Sequence, residues 1–211
     1  MRSPNRRWHK SWRRKVLTAA VASCFAGEVA YANPTGPTVM NPQNGAVFYN
    51  GKPYFNLNGT LLEIKTAPGA IINWQGFSIS AGEITRFIQQ SASSAVLNRV
   101  TGGDPSVILG ALQSNGRVVL INPNGVTIGG GASVDTAGLV VSSLRLSDAD
   151  FAANRMRFGE VPGAGNVVNQ GSITTPVGGF VYIVAPNIQS SGIIRSEGGE
   201  VILAAGKSWN W

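Results

Sequence analysis

Cysteine and histidine are almost missing. The 211 residues hold one of each, Cys24 and His9, and both fall within the first 32 positions. A chain that starts at residue 33 has neither. That excludes Ser-His-Asp and Cys-His nucleophilic catalysis, thiolate or imidazole zinc sites, and a disulfide framework. Charge is equally scarce beyond that point. Seven of the 17 Lys and Arg lie in the first fifteen residues, and Glu28 is the sole acid before residue 33. Residues 33–211 carry 10 basic and 9 acidic side chains, net +1, so all but one unit of the formal charge of +7 belongs to the N-terminus. The chain beyond residue 32 has no basic patch to grip phosphates, and nucleic acid is not an expected partner. Apolar runs are short too. None approaches the roughly 20 residues of a membrane helix, so the mature chain is expected not to span a membrane.

Residues 1–32 have the three parts of a secretory signal. A cationic stretch ends at Lys15, an apolar stretch runs from Val16 to Ala26, and Ala30-Tyr31-Ala32 supplies a small-x-small site before Asn33-Pro34. This predicts a signal peptide over 1–32, with Ala30, Ala32 and Asn33 at the cleavage site. Val21-Ala22-Ser23-Cys24 loosely resembles a lipobox, the alternative that would leave Cys24 lipidated. The usual Leu is absent from it.

Glycine is what this chain has in excess: 26 of the residues after 32, against an average of roughly 7%. Short β-forming runs sit between Gly, Pro and Asn, as in Gly116–Ile121, Val126–Ile128, Gly138–Val141, Phe180–Val184 and Val201–Leu203. The pattern is all-β, and its Val and Ile content separates it from a disordered linker. Segments opening at Gly116, Gly179 and Gly199 align, 63 and 20 residues apart, read as three coils and one coil. Asn169-Gln170-Gly171 and Ser190-Ser191-Gly192 echo at 21. A coil that short cannot bury its own apolar face, so coils must stack and each strand must pair above and below. A parallel β-helix is expected, with a β-sandwich as the alternative.

Residues 33–80, with Asn44-Gly45, Asn50-Gly51 and Asn58-Gly59 between apolar runs, read as an N-terminal β-hairpin cap. Short helical excursions are expected at two places. One is 144–158, with Ser147 as N-cap and Asp148 and Asp150 in the first turn. The other opens at Asp104-Pro105-Ser106. After Val201–Ala204 only Trp209 and Trp211 are left, as a cover for the final coil or the remnant of a truncated frame.

Asn122-Pro123-Asn124-Gly125-Val126 is the most distinctive string. Pro presets φ at the second turn position, and Asn and Gly tolerate the bend after it. With its flanks, Gly110–Ile121, Gly129–Asp135 and Ala137–Ser143, it resembles the haemagglutination-activity domain of filamentous-haemagglutinin-like two-partner secretion exoproteins of Gram-negative bacteria. Ile71–Ile79 and Arg86–Gln90 through Val96–Val100 upstream, and Val167–Ile173 downstream, are similar as well. The resemblance covers roughly residues 37–206 and implies a right-handed parallel β-helix over 33–206, followed by a short tail at 207–211. It implies export through the periplasm, recognition by the POTRA domains of a partner outer-membrane barrel, and folding at the cell surface or in the medium. It further implies that Asn122, Pro123, Asn124, Gly125 and Val126 form a transporter-recognition or folding motif, contact and turn remaining open alternatives. A second family motif, Asn-Pro-Asn-Leu, has no match; Asn56-Leu57-Asn58-Gly59 differs from it. Relatives continue far past the position of Gly206, so a short or truncated adhesin is expected.

Two other classes compete. A polysaccharide-binding or polysaccharide-active β-helix would need clustered carboxylates on adjacent coils, often with calcium. Glu197 and Glu200, and Asp148 and Asp150, are close in sequence, but no three carboxylates recur at coil spacing. Glu200 reads as a solvated edge charge, and Arg155 and Arg157 as partners of Asp148, Asp150 and Glu160. No enzyme, cofactor or metal is expected. A stand-alone surface adhesin would reach a host glycan or receptor through Trp74, Tyr49, Tyr54, Trp209 or Trp211.

Overall fold

The computed structural model describes residues 33–39, 48–49 and 52–210. Ala30 and Ala32 of the cleavage site, Asn44-Gly45, the side chains of Tyr49 and Tyr54, and Trp211 lie outside the described residues.

Antiparallel strands open the fold. β1 (Thr38–Val39) lies on the edge of the coil, while β2 (Phe48–Tyr49) pairs with β3 (Lys52–Asn58). β3 turns through Gly59 into β4 (Leu61–Lys65), and β1 runs antiparallel to β5 (Ala70–Trp74). The first rung of each main face is thereby paired on its outer edge, which blocks edge-to-edge association there. The hairpin cap is present but shorter than the sequence reading. β4 and β5 already pair in parallel with β6 (Ile84–Ile88) and β7 (Ala95–Val100), so residues 61–74 belong to the coil.

Three faces make up a parallel β-helix. The narrowest stacks β8 (Ser106–Ile108), β10 (Val126–Ile128), β14 (Val167–Asn169) and β17 (Ile188–Ser190). The first main face stacks β4, β6, the first parts of β9 (Ala111–Ile121) and β11 (Ser133–Ser142), β15 (Ser172–Thr175) and β18 (Ile193–Ser196). The second stacks β5, β7, the second parts of β9 and β11, β16 (Phe180–Ala185) and β19 (Glu200–Ala205). Along the first face burial alternates, as in Leu62 and Ile64 inward against Glu63 and Lys65 outward, the signature of a sheet wet on one side. Early coils are longer: Ile84 registers with Ala111, whereas Val118 registers with Leu139. The wider cross-section is filled by larger side chains. Phe55, Trp74, Phe77 and Phe87 pack in sequence with ring centres 5.6–6.5 Å apart.

Two expectations need correction. Gly116 and Gly179 stand two coils apart, not three. Val118 registers with Leu139 and Leu139 with Val181, and the second step is long because the chain leaves the coil after Leu144 and returns before Val167. Asp104-Pro105-Ser106 opens no helix either, since Ser106–Ile108 is β8, locked in register with Val126–Ile128. Cap chemistry is worth about 1 kcal/mol, less than the combination of parallel pairing and burial of Ile108 in the core.

The excursion itself is as expected. β12 (Arg145–Leu146) leads into α1 (Asp148–Ala152), capped by Ser147 and buried through Phe151, and then β13 (Arg157–Gly159). β20 (Trp209–Asn210) completes a small antiparallel sheet on β13. This layer covers the outer side of the second face. Leu97, Val119, Ile121, Val140 and Val184 thus form a second apolar core with Leu144, Leu146, Met156 and Phe158. Runs such as Val118–Ile121 are continuous because both of their sides are buried. Arg99 ties the layer down, donating to Leu146 O at 2.9 Å and to Asp148 Oδ1 at 2.6 Å. Trp209 packs on Phe158 and Tyr182 rather than over the final coil, and Val201 and Leu203 on the last rung stay exposed.

Candidate functional site

The Asn122–Val126 string is a corner between the second face and the narrow face. Asn122 follows β9 and is fully buried. Its carbonyl accepts from Gly125 N–H at 3.0 Å, closing a four-residue turn with Pro123 in the second position. Gly125 sits at φ +106°, and an added Cβ would come within 2.8 Å of Asn166 O, so glycine is required twice over.

Asn122 uses every polar atom it has. Its Oδ1 accepts from Asn124 N–H at 2.9 Å and from Asn124 Nδ2 at 3.2 Å, an Asx turn that shapes the bend. Its Nδ2 donates to Asp104 O at 3.0 Å and to Ser106 Oγ at 2.9 Å on the preceding coil. Its backbone N–H donates to Ser142 O at 2.9 Å on the following one. The other members extend the stitching. Asn124 is exposed yet donates through Nδ2 to Gly102 O at 2.9 Å. Pro123 O accepts from Gly165 N–H at 2.8 Å, Val126 N–H donates to Asn166 O, and Gly125 O accepts from Ser106 N–H. Val126 is buried in the core. Five consecutive residues thereby join three successive coils. Asn169, in register with Ile128 at the other end of the narrow face, makes a similar local bond, its buried Oδ1 accepting from Gly171 N–H at 3.2 Å.

Asn33, read only as the residue after the cleavage site, is also built into the fold. It is buried, donates through Nδ2 to Thr60 O at 3.1 Å and accepts from Thr85 Oγ1 at 2.8 Å. The sequence carries no signal for this, because Thr85 is 52 residues away.

The remaining candidates have other roles in the fold. Trp74 is a core residue, 1% exposed, whose Nε1 donates to Asn98 Oδ1 at 2.9 Å, so it is no surface contact. Arg155 pairs with Asp150 as expected, but Asp148 pairs with Arg99 and Glu160 with Lys207. The Ser147 hydrogen bond, and then Arg155, hold the Asp150 carboxyl below its ordinary range. Glu200 is not merely solvated: it accepts from the Tyr182 hydroxyl. Burial, reinforced by Glu200, pushes that phenol well above its ordinary range. Among the described residues, no three of His, Cys, Asp and Glu gather to hold a metal. A cleft of about 440 Å³ is lined by Arg86, Gln113, Asn115 and Asp135 on the first face.

A parallel β-helix sealed at its first rungs, with Asn122–Val126 hydrogen-bonded across three successive coils, defines a solenoid domain. The chain belongs to the TPS secretion domain family, which matches residues 58–210, and is a two-partner secretion exoprotein domain. Its structure is similar to the HMW1 secretion domain from Haemophilus influenzae, with a TM-score of 0.75 and 31% identity, over 84% of this chain and 46% of that one. It is 30% identical over 179 residues to the heme/hemopexin-binding protein of Haemophilus influenzae, covering 81% of this chain and 20% of that protein. It is 25% identical over 170 residues to the filamentous hemagglutinin of Bordetella pertussis, covering 77% of this chain and 4% of that protein. The chain therefore spans a fifth or less of the length of these curated relatives. The family is a secretion domain of exoproteins.

Proposed function

We propose that residues 1–32 direct export and are removed after Ala32, and that residues 33–206, followed by 207–211, then cross the periplasm unfolded. POTRA domains of an outer-membrane barrel receive the chain, and the β-helix assembles outside. Asn122, Pro123, Asn124, Gly125 and Val126 serve this route as the corner that locks successive coils, not as a surface the transporter reads on the folded domain. The observation that carries this reading is the complete burial of Asn122, with its amide committed to Asp104, Ser106 and Asn124. The lack of Cys after residue 24 and the sparse charge suit passage of an extended chain through a narrow pore. Strand addition to a periplasmic domain needs main-chain groups rather than a charge code.

The test is fractionation of a Gram-negative host expressing this chain with and without a two-partner transporter, alongside Asn122→Ala and Asn124→Ala. Transporter-dependent release is expected, weakened more by Asn122→Ala than by Asn124→Ala. Periplasmic retention whatever the transporter, or the reverse order of the two variants, would contradict the proposal.

A further inference from the structure

Asparagine followed by glycine recurs in this chain, and in the described fold it occurs at Asn58-Gly59, Asn115-Gly116 and Asn124-Gly125. The pair has its own chemistry. Once deprotonated, the glycine amide nitrogen attacks the asparagine Cγ. A C–N bond forms, the Cγ–Nδ2 bond breaks and ammonia leaves, giving a succinimide. Water then opens the ring at either carbonyl, yielding aspartate or isoaspartate. Glycine favours the attack because no Cβ obstructs it. The carboxamide must be free to swing onto the following nitrogen, and that N–H must be free to lose its proton.

The fold treats the three pairs differently. Asn115 is clamped to the preceding coil, its Oδ1 accepting from Gln89 N–H at 2.7 Å and its Nδ2 donating to Gln89 O at 2.8 Å. Gly116 N–H is held by Ser114 Oγ at 3.0 Å. Asn124 Nδ2 is held by Gly102 O and Asn122 Oδ1, and Gly125 N–H by Asn122 O. Asn58 lies exposed at the end of β3, and among the described residues its carboxamide has no hydrogen bond. We infer that all three are succinimide-forming deamidation sites, and that folding closes Asn115 and Asn124 while leaving Asn58 open. Modification at Asn124 is incompatible with the corner. Isoaspartate lengthens the backbone by a methylene and draws the former carboxamide carbon into the main chain, while aspartate puts a carboxylate oxygen where Nδ2 stood; either product loses the donor that held Gly102 O and Asn122 Oδ1. A chain kept unfolded therefore loses the ability to close this turn. The significance for secretion rests on the proposed passage of an unfolded chain; the chemistry does not, and its test needs no transporter.

The purified chain is incubated at mildly alkaline pH, folded in one arm and in urea in the other. The urea arm is then refolded and divided by limited proteolysis into resistant and digested fractions, and peptide mapping reads isoaspartate at each site. Folded incubation is expected to modify Asn58 and spare Asn115 and Asn124. Urea should modify all three, and the refolded, resistant fraction should be depleted of isoaspartate at 124. Equal rates at Asn115 and Asn124 in the two arms would overturn the inference. So would protection of Asn58 in the folded arm, or an even spread of isoaspartate 124 between the fractions.

Discussion

At the scale of single residues, the corner concentrates interactions that its composition only half announces. Pro, Asn and Gly in order already read as a turn, because their dihedral preferences are local. That Asn122 reaches Asp104 and Ser106 was not legible, since those partners arrive from the preceding coil, 18 and 16 residues back. Truncating Asn122 to Ala leaves the buried Ser106 Oγ, together with Asp104 O and Asn124 N–H, without their partner, and a loss of about 2–4 kcal/mol is expected in urea unfolding. Ser106→Ala removes one of these bonds and should lose about 1 kcal/mol. At the other end of the domain, Asn33→Ala should lose about 1–2 kcal/mol, because Thr60 O and Thr85 Oγ1 forfeit their link. A midpoint unchanged by Asn122→Ala would mean that the hydrogen bonds around it are dispensable.

Among elements, strands were legible and their partners less so. Val118–Ile121 and Phe180–Val184 declare themselves by β-branched and aromatic content, while the side layer that buries their outer faces depends on residues 144–158 folding back. The same layer explains why counting coils from Gly116 to Gly179 overshot. An insertion lengthens sequence spacing without adding a rung. The close stacking of coils at their corners gives a sharp contrast between glycines. A Cβ at Gly192 would lie 2.2 Å from Gly171 O, whereas one at Gly103 meets nothing within 4 Å. Gly192→Ala should destabilise by about 1–3 kcal/mol, and Gly103→Ala should be close to neutral, by thermal unfolding of the two variants. Phe158→Ala empties the centre of the side layer and should lose about 3–5 kcal/mol.

For the whole molecule, titration offers a probe of the side layer in its intact setting. Tyr182 is buried beside Glu200 and Trp209, so folding holds its proton more tightly than the unfolded chain does. The resulting stability is complete below the unfolded phenol pKa of about 10 and falls as pH rises beyond it. Alkaline unfolding above that pH is expected, and Tyr182→Phe should shift it upward; an unaltered alkaline limb would separate Tyr182 from the effect. The fold class was legible in the sequence because stacking imposes a repeat that survives local divergence. The sequence does not separate a turn that binds coils from a turn that binds a partner, because the two can have the same residues. The most direct measurement plots transporter-dependent release against the urea midpoint of each folded domain for Asn122→Ala, Ser106→Ala, Gly192→Ala and Phe158→Ala. If the corner acts through the fold, release falls on one line with stability, however far a substitution lies from Asn122. Loss of release by Asn122→Ala at a stability where Gly192→Ala is still released would contradict that claim and make the motif a contact surface.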